Sequence, residues 1–558
     1  SIHGLITSRF AFLSHTALQQ DVDFIIVGAG SAGCVLANHL SANGRYQVAL
    51  IEAGPSDNRF WIKTPIGYGI TYTDPSINWC YTAESAPALG GREEFWPRGK
   101  VIGGSSSINA LVYHRGQPRD YDDWATHTDS SWSYAAVQQT FDRFERLVSG
   151  HHADRVQSAA LDEPRLSVFD ASADYHPLKS AFASAFSELA LSHVPSPPLE
   201  GEGLGPYWIT TKDGRRCSSA VAFLHPAMDR KNLQVMTESH VKKINFEGRR
   251  AVGVSYVRAG KTITLRARRE VILSAGAVNS PQLLEVSGVG SARLLQGLDV
   301  PVILDQPHVG EHLQDHLGIN YYYRANRPTL NNTLGSWPGR ILAGIRYLAT
   351  RSGPLALSVN QIGGLTRSSP SAPLIDTQIY CNPVSYEPLP GNERKLTQPH
   401  RYPGFILSFN PCRPTSEGSI HITSNDPAQA PRIITNYLSN QNDLDEVIAM
   451  ARLIGRMQET QAIKAILSAP PDLNLSTMTD EELLLDFRER SGTVYHPCGT
   501  CRMGNDAATS VVDTDLRVHG LGGLRVVDAS VFPNITSANT NAPTIMVAHE
   551  AARRILAT

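Results

Sequence analysis

The stretch Phe24-Ile25-Ile26-Val27-Gly28-Ala29-Gly30-Ser31-Ala32-Gly33 sets the strongest limit on what this chain can fold into. Four apolar residues run into a G-x-G-x-x-G pattern, helical periodicity follows over residues 32–40, and a second apolar run, Val48-Ala49-Leu50-Ile51, comes next. This order predicts a strand, a tight turn, a helix and a second strand. Continuous apolar runs suit strands buried on both faces, as in a parallel sheet covered by helices. In such a unit Gly28 permits the turn, Gly30 lets the backbone approach a pyrophosphate, and Gly33 lets helix and strand pack closely. Ser31 and Ala32 open a helix whose N-terminus offers donors to an anion. Glu52, with Ala53 behind it, ends the second strand about twenty residues on, where an acid binds ribose hydroxyls.

Two later runs have the same character. Val271-Ile272-Leu273 precedes Ser274-Ala275-Gly276-Ala277, and Leu524-Arg525-Val526-Val527 precedes Asp528-Ala529-Ser530. Ligands of open parallel sheets sit at the carboxyl ends of strands, so both segments are expected at the first cofactor site. The nucleotide-binding domain is therefore discontinuous, over residues 21–150, 205–318 and 497–558. Residues 151–204 and 319–496 form the second domain. Within it Tyr321-Tyr322-Tyr323, Trp337, Tyr380, Tyr386, Phe405 and Phe409 alternate with prolines and polar residues, which predicts a mixed antiparallel sheet with helices. The fold class is α/β: a Rossmann-like domain with a parallel sheet plus a second, substrate-binding domain.

The 558 residues carry 50 basic and 52 acidic side chains, so nothing in the net charge of -2 favours nucleic acid or an anionic membrane as a partner. Gly, Pro and charged residues interrupt every apolar run short of the roughly 20 residues needed to span a bilayer. Seven cysteines, sparse and odd in number, argue for a reducing compartment, and the expected location is cytoplasmic. Residues 1–20 precede the first strand and read as an N-terminal extension.

Residues 98–116, RGKVIGGSSSINALVYHRG, form a small-residue loop able to press its backbone against a flat ring and phosphates. The segment resembles the first signature of the glucose-methanol-choline oxidoreductase family, and residues 276–290, GAVNSPQLLEVSGVG, resemble the second. The resemblance runs from about Asp23 onward, and a nicotinamide-dependent dehydrogenase built on the same fingerprint is the more distant rival, which a bound yellow chromophore would exclude. The resemblance implies FAD as cofactor. Some members link the flavin covalently to a histidine in the serine-rich loop; here Ile108 holds that position, so non-covalent FAD is expected. Carried over residue by residue, the cofactor contacts include Arg98, Gly103, Gly104, Ser105, Leu111, Val112, Ala275 and Thr540. Asn109 and Ala110 are expected beside the isoalloxazine, Val241 on the adenine side, and Asp528 and Ala529 toward the ribityl and pyrophosphate.

Residues 495–504, YHPCGTCRMG, resemble the family's C-terminal active-site segment. The resemblance makes His496 the catalytic base, and imidazole has a pKa suited to taking a hydroxyl proton as hydride leaves the carbinol carbon for flavin N5. Asn539, in Ser537-Ala538-Asn539-Thr540-Asn541, is the expected partner, holding the alcohol oxygen by a hydrogen bond; Asn541 is the rival. Tyr495, His496 and Asn539 are the expected substrate contacts. No metal is expected: Cys498-x-x-Cys501 has no second pair of ligands, and His312 and His316 read as structural polar contacts. The implied reaction is oxidation of a small primary alcohol to an aldehyde, with oxygen or another electron acceptor as the second partner. The alternatives on this fold are a hydroxynitrile lyase, a fatty-acid photodecarboxylase, or a non-catalytic flavin-binding protein.

Overall fold

A computed structural model describes residues 21–149, 153–155, 163–195, 199–388 and 394–558; the expected extension over residues 1–20 lies outside them. Strands Leu233–Met236, Val48–Ile51, Asp21–Val27, Lys261–Leu273 and Leu524–Val526 lie side by side in that order, each parallel to its neighbour. Residues 24–27 pair with 48–51 on one side and with 270–273 on the other, and their side chains are buried. This is the environment their unbroken apolar runs require.

The sheet is not wholly parallel. Arg250–Arg258 pairs antiparallel with the first half of Lys261–Leu273, and His240–Glu247 extends that ribbon. Along Lys261–Leu273 exposed and buried residues alternate before the run becomes fully buried at Val271. One strand therefore serves a half-solvated antiparallel ribbon and then a covered parallel core.

The carboxyl ends of the parallel strands meet at one edge. Gly28 donates its N–H to the Ile51 carbonyl, Ser274 to the Val27 carbonyl and Val527 to the Leu273 carbonyl, each at 2.8 Å. Three segments hundreds of residues apart in sequence thus come within one backbone hydrogen bond of each other.

A second sheet stands opposite, antiparallel throughout, in the order Ile362–Thr366, Thr377–Asn382, Gly404–Pro411, Leu317–Arg324, Gly492–Thr493. Period-two alternation separates its faces. Tyr321, Leu407 and Cys381 are cross-strand neighbours on the face that joins a core with Val447, Met450, Ile454 and Met457 of helix Gln441–Glu459. Asn320, Ser408 and Tyr380 are neighbours on the other face, which lines a cavity. A smaller sheet joins strands Val112–Tyr113 and Glu145–Ser149 to Leu166–Asp170 and Trp208–Ile209.

Trp337, grouped in the sequence with the strand aromatics, instead begins the 14-residue helix Trp337–Thr350. Ser336 caps it by accepting the Gly339 N–H, and Pro338 suits its first turn. Local start chemistry prevails there over aromatic content.

Candidate active site

The cavity lies between the carboxyl edge of the first sheet and the polar face of the second. At its base the three fingerprint glycines do different work. A Cβ on Gly28, whose φ is +100°, would lie 2.5 Å from the Ser274 carbonyl oxygen, and one on Gly33 would lie 1.9 Å from the Gly28 carbonyl oxygen. Both are demanded by packing. A Cβ on Gly30 would meet nothing closer than 3.9 Å, so this glycine keeps space open rather than relieving a clash. Gly30, Ser31 and Ala32 line the cavity at the start of helix Ser31–Ser41, which has no side-chain cap and no acid in its first turn. Its free N–H groups remain available to an anion.

Glu52 accepts hydrogen bonds from Ala29 N–H and Gly54 N–H, both at 2.9 Å, and thereby braces the glycine turn. Burial raises its carboxyl to about 7 against those two bonds. Each oxygen retains a lone pair that a ribose hydroxyl can use. Asp528 is engaged similarly, by Gly276 N–H, by the Ser280 hydroxyl at 2.6 Å and by Ser530. Burial raises it as well. An uncapped helix start, a floor without side chains and an acid at the neighbouring strand end together fit the dinucleotide FAD.

The serine-rich loop forms the next wall. Gly104, Ser105, Asn109, Ala110, Leu111 and Val112 line the cavity, as do Ala53, Arg98, Val241, Ala275, Ala529 and Thr540. Gly103 and Gly33 are absent from that lining: Gly103 donates its N–H to the Ala29 carbonyl at 2.7 Å and so fastens the loop to the fingerprint turn. Arg216, nowhere indicated by a motif, reaches the Asn109 side chain at 2.8 Å and the Ser106 carbonyl. Burial lowers its guanidinium to about 9. Leu111 at φ +73° and Tyr495 at φ +71° hold a left-handed backbone that ordinary residues avoid. Both line the cavity, where such strain of about 1–3 kcal/mol is typically kept for function.

His496 stands at the junction of the two sheets. Its N–H donates to Asp315 at 2.8 Å, while Asp315 also accepts from the Thr493 and Tyr437 hydroxyls. His496 Nδ1 lies 2.8 Å from His316 Nδ1, and His316 Nε2 lies 2.8 Å from the Cys412 carbonyl oxygen. A carbonyl only accepts, so His316 carries its proton on Nε2. Burial lowers His316 to about 4, so the ring is neutral and its Nδ1 is a bare acceptor. His496 must then donate from Nδ1, which leaves its Nε2 unprotonated. Burial, with His316 and Arg98 nearby, also holds the His496 pKa well below the ordinary histidine value.

Asn539 Nδ2 lies 3.3 Å from that Nε2. The amide is oriented by Gln378, whose Nε2 donates to Asn539 Oδ1 at 3.1 Å, and by Tyr380 at 3.3 Å from Nδ2. The rival Asn541 accepts from the Ser31 hydroxyl at 3.0 Å, at the glycine-turn end of the cavity. Cys498 and Cys501 are free, fully buried thiols that burial pushes up, so neither is a thiolate.

Three residues around the pair escaped sequence reasoning. His316 reads from the sequence as a structural polar residue. Gln378 and Tyr380 carried a usable signal: polar side chains at alternate positions of an apolar strand mark a face turned to something polar.

The N-terminal and C-terminal models of the GMC oxidoreductase family match residues 22–318 and 414–548. The chain is 40% identical to an alcohol dehydrogenase [acceptor] of Pseudomonas putida, over 96% of this chain and 95% of that one. It is 36% identical to the mitochondrial choline dehydrogenase of Homo sapiens, over 96% and 89%. Among solved structures it resembles pyridoxine 4-oxidase from Mesorbium loti, with a TM-score of 0.84, 27% identity and coverage of 96% and 99%. The chain belongs to the GMC oxidoreductase family, FAD-dependent oxidoreductases acting on CH–OH groups.

Proposed function

We propose that the protein oxidises an uncharged primary alcohol to its aldehyde, with His496 as general base, Asn539 as the hydrogen-bond donor to the alcohol oxygen, and FAD held non-covalently. The observation that carries this reading is the pair itself: an unprotonated Nε2 and an amide Nδ2 facing each other at 3.3 Å. An alcohol hydroxyl seated beside both, at hydrogen-bonding distance of each, donates to Nε2 and accepts from Nδ2. As the proton moves to Nε2, charge builds on oxygen, and the amide, already fixed by Gln378, stabilises it without reorganising. Asp315 holds the backbone of His496 and keeps its ring in place. Bound FAD supplies the hydride acceptor.

Non-covalent binding is supported by Ile108, an aliphatic side chain facing the cavity from the serine-rich loop. The choice of an uncharged alcohol rests on the lining residues. Tyr68, Tyr72, Tyr380, Val359, Asn360 and Leu396 make the wall away from the glycine turn, and the two lining carboxylates, Glu52 and Asp528, are already engaged by backbone N–H groups. Among the described residues, a quaternary ammonium substrate finds no carboxylate in that wall. The test is steady-state turnover of linear and aromatic primary alcohols and choline, each with oxygen and separately with a dye acceptor. Uncharged alcohols are expected to show the higher kcat/KM, and a preference for choline would overturn the substrate assignment.

A further inference from the structure

Helix Trp337–Thr350 turns an unusual face to solvent. Trp337, Ile341, Leu342, Ile345 and Leu348 are 78%, 53%, 68%, 60% and 60% exposed, while Ala343 and Tyr347 are buried against the protein. A surface helix ordinarily buries its bulky apolar stripe; here the bulk points outward. With about 100° per residue, the five exposed side chains occupy one arc of about 140°, and Arg340 and Arg346 stand on either side of it. Apolar residues along one side, arginines at the margins and a tryptophan at one end are the pattern of a helix lying in a membrane interface.

Charge points to the same occupant. The whole chain is almost neutral, yet residues 319–375 contain six arginines, Arg324, Arg327, Arg340, Arg346, Arg351 and Arg367, with no lysine, aspartate or glutamate. Arg340 donates to the Leu334 and Thr397 carbonyls and Arg346 to the Ser352 hydroxyl, which are neutral acceptors, and among the described residues neither guanidinium has an ion-pair partner. A second copy docked through the same face would bring this cationic stretch against itself, because a two-fold interface is self-complementary. An anionic lipid surface meets both the apolar arc and the arginines.

We propose that helix Trp337–Thr350 seats the protein on an anionic bilayer surface, with its apolar arc among the acyl chains and Arg340 and Arg346 at the phosphates. The helix packs against Pro354–Ala356, which leads to the cavity residues Val359 and Asn360. Arg340 also holds the carbonyl of Thr397, next to the cavity residue Leu396. Docking there sets a cavity wall close to the lipid.

The test is sedimentation of the full-length holoenzyme with vesicles of phosphatidylcholine alone or mixed with phosphatidylserine. Binding is expected to the mixed vesicles, weaker to phosphatidylcholine, and reduced by salt. Ile341→Glu together with Ile345→Glu is expected to lower the bound fraction roughly tenfold or more, with flavin content and turnover of a water-soluble alcohol unchanged. Should that double variant fail to fold, quenching of tryptophan fluorescence by brominated lipid decides the matter: it is expected in the wild type and weaker in Trp337→Phe. Wild-type protein that ignores mixed vesicles, or quenching unaltered in Trp337→Phe, overturns the proposal. So does a wild-type dimer that the double glutamate variant splits, since a second copy would then be what covers the face.

Discussion

Replacing His316 by leucine separates the base from the residue that sets its tautomer. His316 is fully buried and lies behind His496, and leucine approximates its volume while removing the Nδ1 acceptor at 2.8 Å. A net hydrogen bond between neutral groups is worth about 0.5–1.5 kcal/mol, and a buried donor without a partner costs about 1–3 kcal/mol. His496 avoids that cost by moving its proton from Nδ1 to Nε2, which is the atom that must be bare to act as base. A bias of about 1–2 kcal/mol against the productive tautomer lowers its population roughly five- to thirtyfold. The assay is kcat/KM for one primary alcohol, normalised to bound flavin, in wild type, His316→Leu and His316→Gln. Glutamine supplies an acceptor oxygen, so its kcat/KM is expected to exceed that of the leucine variant several-fold. A leucine variant within twofold of wild type, or a glutamine variant no better than leucine, would refute the tautomer argument.

Gly30→Val is expected to keep the fold and lose FAD affinity at least about tenfold, because its Cβ meets open space that the pyrophosphate needs; Gly33→Ala is expected to unfold the domain instead, since its Cβ would sit 1.9 Å from a backbone oxygen. Thermal melts and flavin titration of the two variants check the contrast. A base must be deprotonated to act, and His496 is held well below 6.5, so kcat/KM is expected to stay flat as pH falls through 6.5 and to decline only further down. A midpoint at or above pH 6.5 would contradict this environment. Acid precipitation is expected to release all flavin into the supernatant, and flavin remaining with the pellet would show a covalent link despite Ile108.

The parallel core was legible because its strands are unbroken apolar runs, and runs such as Ile25-Ile26-Val27 and Val271-Ile272-Leu273 have few other stable environments. The glycine turn was equally legible, since Gly28 and Gly33 answer local backbone demands and Gly30 keeps room for a ligand. The antiparallel ribbon was not, because Lys261–Leu273 changes neighbours midway and only pairing reveals it. Around the candidate site, His496 and Asn539 sat in recognisable segments. The residues that orient them did not: His316 is 180 residues from His496, and Gln378 is 161 from Asn539. A tautomer is fixed by a neighbour's neighbour, here the Cys412 carbonyl, and no local pattern encodes that. Helix Trp337–Thr350 was not legible for a different reason: Trp337 reads with the strand aromatics, whereas Ser336 and Pro338 start a helix there.

Anaerobic stopped-flow bleaching of the flavin by a saturating primary alcohol tests the proposed chemistry most directly, comparing wild type with His496→Ala and Asn539→Ala at equal flavin content. Loss of the general base is expected to slow reduction by about 10²–10⁴, and Asn539→Ala is expected to slow it less, because one hydrogen bond to the developing charge is lost while the base remains. A His496→Ala protein that reduces its flavin within a few-fold of wild type would contradict the mechanism, leaving the family assignment intact.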